Sequence, residues 1–283
     1  MKKQILVIGA TGKTGSRVAK LLKEEGHAVR NGSRSENPSF DWQKTESYEA
    51  ALAGMDAVYI SYYPDLAVPG AKEAIEQLTE AAKRANVEKL VLLSGKGEKE
   101  AEACEQIVAN SGLKHTLVRA SWFNQNFSES FLLDPILAGE VALPMAEAEV
   151  PFVDANDIAE VAVQALLNDK WNGRTLTVTG PEKLNFKQVV QEIANTTGRN
   201  IAFQGVSIEA YAKMMKEAGL PQDYIWLFSY LFKEVLGNAE NQTISHDINE
   251  VLGREATNFR SYAEKTARTG IWNKPSKVLQ YKH

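Results

Sequence analysis

Short apolar runs alternate with amphipathic stretches from the first residues of this chain. Gln4 to Ile8, apolar from Ile5 onward, reads as a buried strand. Val18, Leu21 and Leu22 recur at helical spacing, which predicts a helix over 12–25. The rhythm repeats: a strand over 27–33, a helix over 47–53, a strand over 57–61 and a helix over 69–86 opened by Pro69, where a missing N–H costs nothing. Lys89–Ser94 reads as a strand covered on both faces, 98–110 as a helix and 115–119 as a strand. Strands that alternate with helices require right-handed crossovers and a parallel sheet.

Beyond Arg119 the pattern changes. Residues 122–137 are aromatic and read as helical; 154–168 read as a helix capped near Asp154 or Asn156. A strand over 174–179 comes next. Asn185 and Gln188 have capping-box spacing, which opens a helix to about Thr197. A short strand over 201–206 precedes a stretch, from Ser207 on, that is nearly all helical. The expected class is therefore α/β, a Rossmann-like doubly wound parallel sheet with a small, mostly helical C-terminal substrate region. Residues 1–120 form the sheet domain, with elements of 150–180 returning to it, and 121–283 form the smaller region.

The chain has 283 residues, 44% hydrophobic and 24% charged, with a formal net charge of −4. No basic excess marks a nucleic-acid partner. The single Cys104 excludes an intrachain disulfide and reads as a small buried hydrophobe in a helix. No apolar run reaches the roughly 20 residues a bilayer requires. The opening Met1-Lys2-Lys3 and apolar Ile5–Ile8 are broken too soon by Gly9, Thr11 and Gly12 for a signal peptide. A cytoplasmic protein without a membrane partner is expected, and a homo-oligomer is compatible with this reading. His27, His115, His246 and His283 are scattered and predict no metal site.

The strongest motif is Gly9-Ala10-Thr11-Gly12-Lys13-Thr14-Gly15, spaced G-x-x-G-x-x-G where the first strand meets the first helix. Glycines there permit a tight turn and let a pyrophosphate approach the backbone, while the helix N-terminus supplies unpaired N–H groups. Gly12-Lys13-Thr14 imitates the end of a P-loop, but the required glycine five residues earlier is Val7, so a mononucleotide cradle is excluded. An NAD site places Asp or Glu at the end of the second strand. That end here reads Arg30-Asn31-Gly32-Ser33-Arg34, with no carboxylate before Glu36. Arg34 could fork a 2′-phosphate with Ser33 donating beside it, and Lys13 adds positive charge. NADP(H) is thus preferred, with NAD(H) also compatible; a solvated surface Arg34 is the bland alternative.

These residues resemble the NmrA-like branch of the atypical short-chain dehydrogenase/reductases. The resemblance is carried by Gly9–Gly15, Ser33-Arg34, Phe40-Asp41-Trp42 and Leu92-Leu93-Ser94. It continues through Val118-Arg119, Trp122-Phe123, Asn126-Phe127, Val153-Asp154, Asp157-Ile158-Ala159 and Thr179-Gly180-Pro181, spanning about residues 4–210. It implies a Rossmann-like domain with a C-terminal substrate region, and relatives that include quinone and dye reductases, iminium reductases and nucleotide-sensing regulators. It also implies Asp41 and Trp42 near the adenine, Ser61, Tyr62 and Tyr63 under the cofactor, and Ser94, Gly95 and Lys96 beside the nicotinamide. Ala120 stands where many relatives carry proline.

The wider superfamily protonates its substrate with a Y-x-x-x-K pair. None of the nine tyrosines, Tyr281 included, has lysine four residues on; Gly97 and Ala101 occupy the expected positions. A ketone needs a positioned acid, whereas hydride transfer to a quinone, an iminium ion or a stabilised carbocation rests mainly on alignment. Ser94, Lys96 and Tyr62 are the remaining acid candidates by position, and Tyr62 and Tyr63 equally suit packing or stacking. Trp122, Phe123, Asn126, Tyr224 and Phe228 are candidate substrate contacts; helix packing explains the same aromatic residues. The reading is an NADPH-dependent reductase of a small, planar, electron-poor acceptor, with a non-catalytic NADP(H)-binding sensor as the alternative.

Overall fold

The computed structural model describes residues 2–273, so the Met1, Tyr281 and His283 named above lie outside the described residues. The chain divides into two compact units. The first runs through the described residues to Ala120 and adds Ala155–Val178 and His246–Glu255. It holds β1 (Gln4–Ile8), α1 (Lys13–Glu24), β2 (Ala28–Gly32), α2 (Glu46–Leu52), β3 (Ala57–Ile60), α3 (Ala71–Arg84), β4 (Lys89–Gly95), α4 (Lys99–Ala109) and β5 (Lys114–Ala120).

Two elements from the middle of the chain and one from its later part complete this unit. In chain order, α5 (Leu133–Ala138) and β6 (Glu140–Leu143) belong to the second unit, whereas α6 (Ala155–Leu167) and β7 (Arg174–Val178) belong to the first. The sheet order is β2-β1-β3-β4-β5-β7, and every pair is parallel. This is the doubly wound α/β class. Its order reverses between β1 and β3, the switch point where such sheets open a crevice at their carboxyl ends.

Alternation along the strands divides the core. Leu6, Ile8, Val58, Ile60, Leu90, Leu92 and Leu117 pack with buried residues of α2, α3 and α4. Tyr59, one residue out of phase, faces the other way, and its hydroxyl donates to Thr14 Oγ1 of α1 at 2.9 Å. The first strand is buried throughout its last four residues, as parallel strands covered by helices must be. At the outer edge, the Thr177 amide of β7 donates to Asp247 Oδ2 at 2.6 Å; that carboxylate opens α10 (Asp247–Leu252) and occupies a donor an edge strand would leave bare. Arg254 joins the buried Asp157 at 2.8 Å and Glu160 at 2.6 Å, which accounts for the aspartate of the 153–159 motif as an ion-pair partner.

The second unit holds Ser121–Asp154, Thr179–Ser245 and the described residues from Ala256 onward. After α5 and β6 it contains α7 (Phe186–Thr197), β8 (Ala202–Gly205), α8 (Ile208–Glu217), α9 (Gln222–Tyr230) and α11 (Phe259–Arg268). The strands β6 and β8 form a small parallel pair. Its core is aromatic: Phe127, Phe152, Phe186, Phe232, Phe259 and Trp272 are buried together. Trp272 Nε1 donates to the Phe127 carbonyl at 2.8 Å. A side chain on Gly180 would overlap the Phe152 carbonyl oxygen, so the glycine of the Thr179-Gly180-Pro181 motif answers a backbone approach within this unit.

Three local expectations are corrected. Residues 122–137 are not one helix: only a 3₁₀ turn, Asn124–Phe127, and the six-residue α5 form. The Asn124 amide bonds the Val153 carbonyl at 2.8 Å instead of continuing a helix. Pro69 does not open α3, which starts after Gly70 at φ 87°. Asn156 lies inside α6 and cannot be its cap. The capping box does form: Asn185 Oδ1 accepts from the Gln188 amide at 2.9 Å, and Gln188 Oε1 accepts from the Asn185 amide at 2.8 Å. Among the described residues, no helix is long and apolar enough to cross a membrane. Asn185→Ala should lower stability by about 1 kcal/mol, read as a shift of the urea midpoint at unchanged slope.

Candidate active site

The turn after β1 is held by its own backbone. Gly9 sits at φ 76°, a conformation open to glycine, and its carbonyl accepts from the Gly12 amide at 2.9 Å. The same carbonyl lies so close beneath Gly15 that a Cβ there would overlap it. A Cβ on Gly9 would meet Ser61 Cβ at 3.1 Å, which brings the end of β3 against the loop. Gly12 caps α1 with extended backbone and no side-chain bond. The amides of Lys13, Thr14 and Gly15 form the first helical turn and have no carbonyl within the helix to bond. Three glycines thus produce a backbone cradle free of side chains at the positive end of a helix dipole, at the switch point of the sheet, and the residues fit a dinucleotide diphosphate.

The other positions singled out from the sequence are arranged around this edge or lie elsewhere. Thr11 and Gly12 are exposed, and Thr14 is buried with its hydroxyl committed to Tyr59. At the end of β2, Ser33 Oγ lies 3.1 Å from Ser35 Oγ. Arg34 is exposed and has no ion pair or side-chain hydrogen bond among the described residues. Glu36, the nearest carboxylate, turns back to accept from Asn31 Nδ2 at 3.3 Å. Asp41 Oδ1 accepts from the Gln43 amide at 3.1 Å, a local turn. Trp42 packs at 4.7 Å from Tyr62 and edge-on to Phe40 at 4.9 Å, so these rings bridge the ends of β2 and β3. Tyr63, by contrast, is 72% exposed.

Ser94, Gly95 and Lys96 end β4. The Lys96 amide continues the ladder to the Ala120 carbonyl at 2.9 Å. Ser94 is only 4% exposed, and its Oγ has no hydrogen-bond partner among the described residues. It shares its strand face with Leu90 and Leu92, the face covered by α3 and α4. Tyr62 is a weak acid here: its hydroxyl is raised above its ordinary pKa, first by burial and then by Cys104 and Glu73.

Sequence reasoning missed a pair of acids at this edge, Glu98 buried and Asp65 half-buried. Asp65, from the loop after β3, and Glu98, the N-cap of α4, hydrogen-bond side chain to side chain. Asp65 Oδ1 also accepts from the Ala67 amide at 2.8 Å. Glu98 is 8% exposed, and its carboxyl presses against Gly95 so closely that a Cβ there would overlap it. Burial, first, and the adjacent Asp65 carboxylate hold the Glu98 carboxyl well above the usual range, with Glu100 and Glu105 acting in the same direction. Two carboxyls joined in this way need one proton between them, and the stronger rise is that of Glu98. Glu105, fully buried, has its own partner: Arg119 Nε donates to its two oxygens at 2.8 and 3.0 Å. No short-range signal marks the pair, because its members sit on different loops.

Trp122, Phe123, Asn126, Tyr224 and Phe228 all fall in the second unit. Trp122 packs on Phe232 at 5.1 Å and Phe186 at 5.7 Å, and Phe228 on Phe131 at 4.5 Å. Asn124, not singled out from the sequence, is fully buried, and neither Nδ2 nor Oδ1 has a partner among the described residues.

A parallel sheet with a glycine cradle at its switch point defines a dinucleotide-binding fold. The chain belongs to the NmrA-like family, whose model matches residues 1–266. Prestalk A differentiation protein A of Dictyostelium discoideum is 28% identical over 285 residues, covering 94% of this chain and 93% of that protein. Agroclavine dehydrogenase of Claviceps fusiformis is 28% identical over 276 residues, covering 91% and 95%. The crystal structure of the Citrobacter sp. triphenylmethane reductase complexed with NADP(H) matches with a TM-score of 0.73 at 19% identity, covering 93% of this chain and 99% of that one, a likeness of fold.

The raised Glu98 carboxyl fixes a direction for pH dependence. The folded state binds its proton more tightly than the unfolded chain, so this group's contribution is complete below the ordinary carboxyl range, near pH 4 to 5, and is lost as pH rises through the folded value. Glu98→Gln keeps a donor to Asp65 and cannot ionise. Its stability relative to the parent chain should therefore improve as pH is raised from about 5 upward, measured by urea denaturation across the range; a pH-independent difference would contradict the shared proton.

Proposed function

We propose that this protein is an NADPH-dependent reductase that delivers hydride to a small, planar, electron-poor acceptor such as a quinone, an iminium ion or a stabilised carbocation. The observation that carries the reading is the Gly9–Gly12–Gly15 cradle, which turns a carbonyl inward and sets the N-terminus of α1 at the sheet's switch point. The diphosphate is assigned to the amides of Lys13, Thr14 and Gly15, with Thr11 and Lys13 beside it. Arg34 and Ser33 would take the 2′-phosphate, Asp41 and Trp42 the adenine side, and Ser61, Tyr62, Tyr63, Ser94, Gly95 and Lys96 the nicotinamide end. The reduced nicotinamide supplies a hydride; the protein's part is to hold and align it and to exclude water.

The cofactor preference rests on charge. An exposed guanidinium without a competing carboxylate suits a dianionic 2′-phosphate, whereas Glu36 is engaged by Asn31. By sequence, residues 1–120 with returning elements are read as the cofactor domain and residues 121–283 as the substrate region, with Trp122, Phe123, Asn126, Tyr224 and Phe228 as its candidate acceptor contacts. The named reductases and dehydrogenase among its relatives support hydride chemistry.

Titration followed by nicotinamide fluorescence should give tighter binding of NADPH than of NADH. Arg34→Ala should weaken NADPH about 10- to 100-fold and NADH by less than about twofold, as expected for loss of a charge-assisted phosphate contact. Purified protein should oxidise NADPH with at least one of a panel of quinones, iminium dyes and triphenylmethane cations. Tight NADPH binding without oxidation by any of them would favour the sensor; no affinity for either nucleotide would end both readings.

A further inference from the structure

The missing Tyr/Lys pair leaves open where the proton comes from when an acceptor needs one. We propose that the Asp65–Glu98 carboxyl pair is that source, with the Ser94 hydroxyl relaying its proton toward the carboxyl end of β4. This rests on the reductase reading above.

Three observations converge on one place. Glu98 and Asp65 are joined by a side-chain hydrogen bond that requires one proton between them. The Glu98 carboxyl lies against Gly95, at the end of the strand expected beside the nicotinamide. Ser94, the preceding residue, is buried with an Oγ that has no partner among the described residues, on the strand face covered by α3 and α4, and Glu98 caps α4. A buried hydroxyl without a partner costs free energy unless a water or ligand completes it. It makes no hydrogen bond to Glu98, so a proton passing between them needs a bridging water, the kind of partner this hydroxyl lacks among the described residues.

The charged and titratable neighbours of the pair come from α3, α4, β5 and the loop after β3. Glu100 and Glu105 of α4 face Glu98, and Arg119 of β5 neutralises Glu105. Cys104 lies 4.0 Å from the Leu66 carbonyl, with its thiol pushed up to about 11 mainly by burial, so it stays protonated and does not compete. Glu73 of α3 and Tyr62 lie further along the same face. The groups that act on Glu98, namely Asp65, Glu100 and Glu105, are all acids, and Lys72 of α3 acts on Cys104.

With a quinone, electrons and protons balance. The acceptor takes hydride, two electrons and one hydrogen, from the reduced nicotinamide, and its π system becomes a phenolate. The O–H bond of Glu98 breaks, a bridging water and Ser94 each pass a proton on as they receive one, and the phenolate oxygen becomes a hydroxyl. Glu98 is left as a carboxylate and takes a proton back from water. A triphenylmethane cation needs hydride alone, so the same site serves it without the pair.

The two acceptors therefore separate proton supply from hydride transfer. With full-length protein and NADPH, Glu98→Gln should lower kcat for menadione on the order of 100-fold, the range of a lost general acid, and change kcat for crystal violet by less than about twofold. Ser94→Ala, at a residue also assigned to the nicotinamide end, should lower the ratio of menadione to crystal violet turnover. The parent chain should lose menadione turnover at high pH along a limb absent from the crystal violet profile and from Glu98→Gln. A readout without turnover is the infrared difference between the cofactor-free parent chain and Glu98→Gln: a protonated carboxyl C=O band at neutral pH that disappears on raising the pH. Absence of that band, equal losses with both acceptors, or unchanged menadione turnover in Glu98→Gln overturns the proposal while leaving the reductase reading intact. A parent chain that reduces neither acceptor nor any other overturns both.

Discussion

The Gly9 carbonyl points into its own loop, where it accepts from the Gly12 amide and lies under Gly15. Had it pointed outward, an acceptor oxygen would occupy the place where a phosphate must come. Turning it inward requires positive φ at Gly9, and the space it takes denies Gly15 a side chain. The buried Tyr59–Thr14 hydrogen bond then ties the start of α1 to β3, so the first-turn amides stand at a fixed height above the sheet. Parallel register lays out the rest of the edge relative to that turn, from Ser33 at one side to Gly95 at the other.

Much of the sheet was legible because buried parallel strands have little freedom in composition. Gln4–Ile8 and Lys89–Ser94 are apolar runs that fit a strand covered on both faces, and the intervening helices show a single wet side. The second unit was harder to read. Its aromatic residues at 122–137 satisfy helical spacing about as well as they satisfy a cluster of rings, and Asn124 was drawn out of helix by a carbonyl from Val153, which no local signal announces. The strands β6 and β8 are four residues each and have only one another as partners, too short to show a period.

The candidate site divides along the same line. The cradle was legible because its chemistry belongs to the backbone, and backbone demands are written as glycines at fixed spacing. The motif residues Asp157 and Gly180 prove to serve an ion pair and a backbone approach, so a family pattern mixes residues that meet a ligand with residues that make its scaffold fit. Asp65 and Glu98 could not be found by spacing: one comes after β3 and the other caps α4, and only the adjacency of β3 and β4 brings their loops together. Each alone reads as an ordinary surface acid near a helix start, where carboxylates are common.

A buried acid set against a half-buried one is a costly arrangement for a protein that needs only a helix cap there. Serine or asparagine at the Glu98 position would satisfy the α4 amides with no charge to bury. Glu98 makes no such bond; its carboxyl is turned away from the helix and toward Asp65 and Gly95. The side chain thus gives up a favourable local interaction for an unfavourable environment, and the compensation within the described residues is a single hydrogen bond that exists only while one proton remains. A residue placed against local preference at a sheet's carboxyl edge, beside an unpartnered serine hydroxyl, departs from the consistency that folding alone would favour. Departures of that kind are expected where chemistry, and not stability, has set the choice of side chain.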